Sequence, residues 1–97
     1  MNVNDHVFAA LASAPRRQML AFLAQTALST AELAERFAMS PPAISRHLGV
    51  LLRAGLVQGE RQGQRVLYRL KRDTLLNALS RFASEVDGPL RTPRNAI

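Results

Sequence analysis

Apolar residues recur along this chain at spacings of three and four, switch once to strict alternation, and then return to helical spacing. Val7, Phe8 and Leu11 outline a first helix that Asn4 can cap. Ser13-Ala14-Pro15 interrupts it, and Pro15 restarts a second helix over residues 15–25 with Met19, Leu20 and Leu23 as its stripe. Proline suits a first turn because the amide it lacks would have no helical partner there. Ser29 with Glu32 reads as a capping box ahead of a third helix, residues 30–37, which buries Leu33, Ala34 and Phe37. Ala38-Met39 forms a turn. Ser40 then caps a fourth helix with Pro41 at its first position. The predicted core face of that helix is Ile44, Leu48, Leu51 and Leu52; it runs to Ala54, and Gly55 stops it as a left-handed cap.

Alternation follows. Residues 56–60 read as a strand, Gln62-Gly63-Gln64 as the turn, and residues 65–70 as a second strand. Val66, Tyr68 and Leu70 would face inward, leaving Arg65, Leu67 and Arg69 on the other face. Asp73 or Thr74 can cap a last helix lined by Leu75, Leu79, Phe82 and Val86, widened by Leu76 and ended by Gly88-Pro89. The predicted fold is mainly α with a small β-hairpin, an α+β winged helix-turn-helix: four helices, two strands, one helix. One domain over residues 1–87 is expected, followed by a basic tail, residues 88–97, expected to be disordered.

Charge narrows the function. The formal net charge is +6. Between residues 40 and 72 the basic side chains are Arg46, Arg53, Arg61, Arg65, Arg69, Lys71 and Arg72, against the single acid Glu60. Such a concentration suits a polyanion, nucleic acid before an anionic membrane surface. No apolar run approaches the ~20 residues that cross a bilayer, so no membrane partner is expected. The start MNVNDH is unlike the basic start of a signal peptide.

The fourth helix offers small and hydrogen-bonding side chains where a major-groove helix needs them. Ser40, Pro42, Ala43, Ser45, Arg46 and His47 fall on its first two turns, away from Ile44 and Leu48. Arg46 has the fork that reads guanine or clamps a phosphate, and the helix N-terminus itself favours phosphate. Arg53, farther along, is a candidate backbone contact. In the hairpin, Arg61, Gln62, Gln64 and Arg65 can enter a minor groove or straddle phosphates. The bland readings are a capped surface helix and a hairpin whose charges guard an edge strand. Val7, Leu11, Leu75, Leu79, Phe82 and Val86 exceed what a small core covers, which predicts a two-fold interface of the first and last helices.

Catalysis and metal binding find no support. The chain has no cysteine, which removes disulfides and thiolate sites, and its two histidines, His6 and His47, lie in different elements. No nucleophile–base pair or phosphate loop is present. No metal, no cofactor and no enzymatic activity are expected.

In sequence, FAALASAPRRQMLAFL, AELAERFAMSPPAISRHLGVLLRAGLV and RQGQRVLYRL together resemble the ArsR/SmtB family of bacterial winged-helix repressors, over about residues 7–86. The resemblance implies a cytoplasmic homodimer that binds a palindromic operator in double-stranded DNA and represses transcription. It places Ser40, Ser45, Arg46 and His47 at the DNA face, Arg61 and Arg65 in the wing, and Arg17 on the DNA backbone. Two positions depart from the family pattern: Pro41 replaces a polar residue, and Gly49 replaces a basic one. The third helix, AELAERF, lacks the family's metal-binding cysteines, and the last helix lacks the Asp/His set of zinc sensors. Both routes of sensing are thereby excluded, and the inducer is unknown. Two other functions compete with a specific repressor: a non-specific nucleic-acid module and a protein-interaction module.

Overall fold

Asn2, rather than Asn4, opens the chain's first helix. In the computed structural model, which describes residues 2–88, the Asn2 side chain accepts from the Asp5 N–H at 2.9 Å. Either Asn can cap in principle; the position three residues before Asp5 wins, and Asp5 then sits in the first turn, where a negative charge favours the helix dipole. The elements are α1 (Val3–Leu11), α2 (Ala14–Leu23), α3 (Thr30–Phe37), α4 (Pro41–Arg53), β1 (Val57–Gln62), β2 (Arg65–Leu70) and α5 (Arg72–Asp87). Residues 89–97, most of the expected tail, lie outside the described residues.

Local chemistry explains most boundaries. Ser13 caps α2, with Pro15 in its first turn. Ser29 Oγ accepts from the Glu32 N–H at 3.2 Å while Glu32 Oε1 accepts from the Ser29 N–H at 2.8 Å, so the capping box at α3 is complete. That backbone hydrogen bond is the first cause holding the Glu32 carboxyl below its ordinary 4.5. The cap is therefore intact above pH 4.5 and is lost as pH falls through the lowered value. At the end of α4, Gly55 adopts φ +73°, its N–H reaches Leu52 O, and the Leu56 N–H reaches Leu51 O. This is a Schellman ending, sealed by burial of both Leu51 and Leu56. Between α3 and α4 the chain reverses through Ala38 at φ +51°, a left-handed alanine that costs about 1 kcal/mol.

Met19, Leu33, Ile44, Leu51, Leu56 and Val7 are the largest fully buried side chains. Val7, expected at a partner interface, thus belongs to its own chain's core. Leu11 and Leu75 are partly buried against that core as well. Leu52 departs from the predicted core face and is exposed. The stripe through Ile44, Leu48 and Leu51 turns by about 100° per residue, which leaves Leu52 roughly a quarter-turn off its centre.

The hairpin is longer than its sequence suggests. β1 and β2 pair antiparallel from Val57↔Leu70 to Gln62↔Arg65, so the turn shrinks to Gly63 and Gln64. Gly63, at φ +65°, holds the first turn position, as a type II′ connection requires. Leu28 adds a bridge on the far side of β2: its N–H donates to Tyr68 O at 3.0 Å and its carbonyl accepts from the Tyr68 N–H at 2.8 Å. β2 is therefore covered on both sides and touches both α2 and α3. A second correction is Leu67, expected on the outer face but buried. Gly59 lies opposite Tyr68, and a Cβ there would meet Val66 Cγ1 at 2.8 Å and Tyr68 Cε1 at 3.0 Å. Gly59→Ala should cost about 1–3 kcal/mol through this overpacking, read as a lowered midpoint of urea unfolding at unchanged slope. An unchanged midpoint would show that the hairpin face yields to a methyl group.

The last helix starts earlier than either expected cap. Its N-cap is Lys71, without a side-chain bond, and the Lys71 N–H donates to Leu56 O at 2.8 Å. Arg72 is anchored in turn to Ala24 O at 2.8 Å. These tertiary bonds fix the turn, and Asp73 becomes a first-turn acid instead of a cap. α5 packs on α1 through an edge-to-face pair, Phe8 and Phe82, with centroids 5.5 Å apart.

Candidate nucleic-acid interface

Two consecutive prolines begin the helix that carries most of the candidate side chains. Ser40 sits before Pro41, a position that disfavours helical backbone, and its ψ of 150° is what an N-cap needs. Its Oγ accepts from the Ala43 N–H at 3.2 Å, and its carbonyl accepts from the Ile44 N–H at 3.0 Å. Pro41 and Pro42 have no N–H at all. The first turn of α4 therefore keeps no free backbone donor, which corrects the expectation of a phosphate site at this N-terminus. The helix dipole and the Ser40 hydroxyl hydrogen remain.

From that cap α4 runs 13 residues, about 20 Å. Its inner face packs on α1, α3 and β1. Ser40, Pro42, Ser45 and Arg46 are exposed, whereas Ala43 and His47 are half-buried. Arg46 enters no ion pair among the described residues. Arg53 is exposed near the C-terminal end, its guanidinium folded back beside Gly49, where a Cβ would lie 3.5 Å from Nη1.

At the hairpin tip Arg61, Gln62, Gln64 and Arg65 are all exposed. Arg65 Nη1 lies 3.8 Å from Glu32 Oε1, and Arg69 Nη2 lies 3.9 Å from Glu60 Oε1. Both are surface pairs, worth little in stability. Arg17 is placed differently from its expected partner: its Nη1 donates to Leu11 O at 2.6 Å, at the end of α1.

One residue was not expected to matter. Arg16 donates from Nε to Ala10 O at 2.8 Å and from Nη2 to Ala9 O at 3.2 Å, while Nη1 approaches His47 Nδ1 at 3.5 Å. Burial first, then the charges of Arg16 and Arg46, lowers His47 below its ordinary 6.5. The available signal was α1 itself: it ends without a glycine, leaving carbonyls for a nearby arginine to satisfy.

Away from this face, α5 exposes Leu76, Leu79 at 41%, Phe82 at 51% and Val86 at 70%. No helix among the described residues is long and apolar enough to cross a membrane.

Residues 14–58, from the start of α2 into β1, match the arsR family of bacterial regulatory proteins. The transcriptional repressor SdpR of Bacillus subtilis is 32% identical over 89 residues, covering 89% of this chain and 99% of the relative. The chain belongs to the arsR family. The regulator KmtR of Mycobacterium tuberculosis is 39% identical over 87 residues, which span 86% of this arsR-family chain and 65% of the relative. Among solved structures, an ArsR-like transcriptional regulator from a Rhodococcus species superposes with a TM-score of 0.77 at 33% identity, covering 88% of this chain and 83% of the other. A homodimeric winged helix-turn-helix DNA-binding domain from Mycobacterium bovis superposes with a TM-score of 0.71 at 31% identity, covering 88% and 81%. The arsR-family fold is thus a winged helix-turn-helix with α3 and α4 as its helix pair and β1–β2 as its wing, and the chain is a DNA-binding transcriptional regulator.

Proposed function

We propose that this protein is a cytoplasmic homodimeric repressor, without enzymatic activity, that recognises a palindromic operator. The observation that carries the reading is Arg46: exposed, unpaired among the described residues, and set on the outer face of a helix whose inner face is locked into the core. Ser40, Pro42, Ala43, Ser45 and His47 share its first two turns and would meet base edges or adjoining phosphates. Arg61, Gln62, Gln64 and Arg65 would follow the backbone or minor groove as the wing. Arg53 would hold a phosphate. Arg17 would do so only by giving up its bond to Leu11.

The apolar stripe of α5 supports the dimer. Leu79, Phe82 and Val86 are exposed together on one chain, whereas the B. subtilis relative is a repressor by name and the M. bovis domain is homodimeric by description. A dimer would present two α4 helices to successive major grooves, roughly 34–36 Å apart. Footprinting on the DNA upstream of its own gene, followed by competition with random DNA, tests the reading. A specific repressor should prefer the protected fragment by about 10³-fold or more at physiological salt. Equal competition by random DNA would leave a non-specific binder in its place.

A further inference from the structure

Through its hydrogen bonds Arg16 ties α1, α2 and α4 together. Its backbone is held by Ser13 Oγ at 3.4 Å, and two of its guanidinium nitrogens are spent on the last carbonyls of α1, Ala9 O and Ala10 O. A helix end leaves its carbonyls short of donors, Ala9 O having besides Arg16 the Ala12 N–H at 3.3 Å, and a cation there also meets the negative end of the dipole. The planar fork is thereby fixed, and its third nitrogen, Nη1, is left facing His47 Nδ1 at 3.5 Å.

An arginine can only donate. Donation from Nη1 needs a bare Nδ1, which puts the proton of a neutral His47 on Nε2. No hydrogen bond among the described residues uses Nε2. Two charges face the ring, Arg16 from α2 and Arg46 from α4 itself, while α1 contributes only the carbonyls that hold Arg16.

We propose that Arg16 is a positioning residue for DNA recognition: it fixes His47 as the Nε2–H tautomer, so that α4 presents a hydrogen-bond donor to an acceptor on a base edge. This rests on the repressor reading for its DNA partner, though not for the state of the ring. In the major groove the acceptors are purine N7, guanine O6 and thymine O4. A ring protonated at Nδ1 would offer a bare nitrogen there and select a donor, such as the amino group of adenine or cytosine. The tautomer thus decides which bases fit.

The first measurement is on the free, full-length protein. Long-range proton–nitrogen spectra of its histidines should show His47 protonated at Nε2 above neutral pH, titrating below 6.5. In Arg16→Met the Nε2–H population should fall to that of a free imidazole and the midpoint should rise towards 6.5, since a facing positive charge is gone. Arg16→Gln, which carries no charge but can still donate to the α1 carbonyls, serves in its place if the methionine variant does not fold, read by the midpoint. An Nδ1–H ring in the wild type, or an unchanged ring in a folded Arg16 variant, overturns the proposal.

The second measurement is affinity for the footprinted fragment. Arg16→Met and His47→Ala should each weaken binding about tenfold, and the double variant about tenfold as well, not a hundredfold. A merely structural Arg16 would give multiplying losses. His47→Ala should also relax sequence preference at one or two base pairs per half-site. If it instead weakens operator and random DNA equally, the acceptor is a phosphate and the specificity role falls. The spectra are read without DNA, so they can fail while the repressor reading stands, and the reverse.

Discussion

Phe82→Glu should turn the proposed homodimer into a monomer. Phe82 is half exposed on a single chain, where it packs edge-to-face on Phe8. Aromatic side chains at the centre of an interface commonly account for 2 kcal/mol or more each. A two-fold axis would count the loss twice, and the carboxylates would be buried without partners. Dimerisation should weaken by at least about 4 kcal/mol, roughly 10³-fold. Sedimentation should then report a single 10.7 kDa species at micromolar concentration. The folded core lies elsewhere, in Met19, Leu33, Ile44 and Leu51, so the helical circular dichroism should survive. A variant that still sediments as a dimer would move the interface off α5.

Arg46→Ala should be the most damaging single change on the DNA face. A bidentate arginine contact to a base contributes about 1–3 kcal/mol, and a palindromic operator would meet two copies. Distant identical sites add, so the total is about 2–6 kcal/mol, or some 30-fold to 10⁴-fold in operator affinity. Arg46 is exposed and unpaired among the described residues, so its loss should leave thermal stability within about 0.5 kcal/mol. Titrating the footprinted fragment against both proteins decides it. Unchanged affinity removes Arg46 as the base reader, and an equal loss on random DNA makes it a phosphate clamp.

How far the sequence reveals this molecule depends on how local the chemistry is. Ser29 with Glu32, Ser40 before Pro41, and Gly55 after Ala54 each mark a helix end through partners within a few residues, and each is found where the pattern puts it. Three misplacements involve partners farther away. α5 begins at Arg72 because Lys71 and Arg72 are tied to Leu56 and Ala24, beyond any local window. Leu67 is buried in a strand that touches α2 and α3 and is bridged by Leu28, about forty residues upstream, and alternation alone cannot show such partners. Val7 looks like surplus apolar surface until α1 is seen to be packed against α2, α4 and α5. The same holds for the candidate site. Arg46, Ser45 and the hairpin arginines follow from spacing, whereas Arg16 shows its role only once a carbonyl six residues back and a histidine thirty-one residues ahead converge on it.

The paired prolines that open α4 bear on the speed of binding as well as on its strength. Each fixes one backbone dihedral before folding and removes an amide whose bonding would otherwise have to be found. With Ser40 bonded to Ala43 and Ile44, the first turn is already assembled in the free protein. A groove-reading turn that needs no ordering on contact gives up little conformational entropy when DNA arrives. Encounter rather than rearrangement then sets the on-rate, which in a chain of net charge +6 should fall steeply as salt is added.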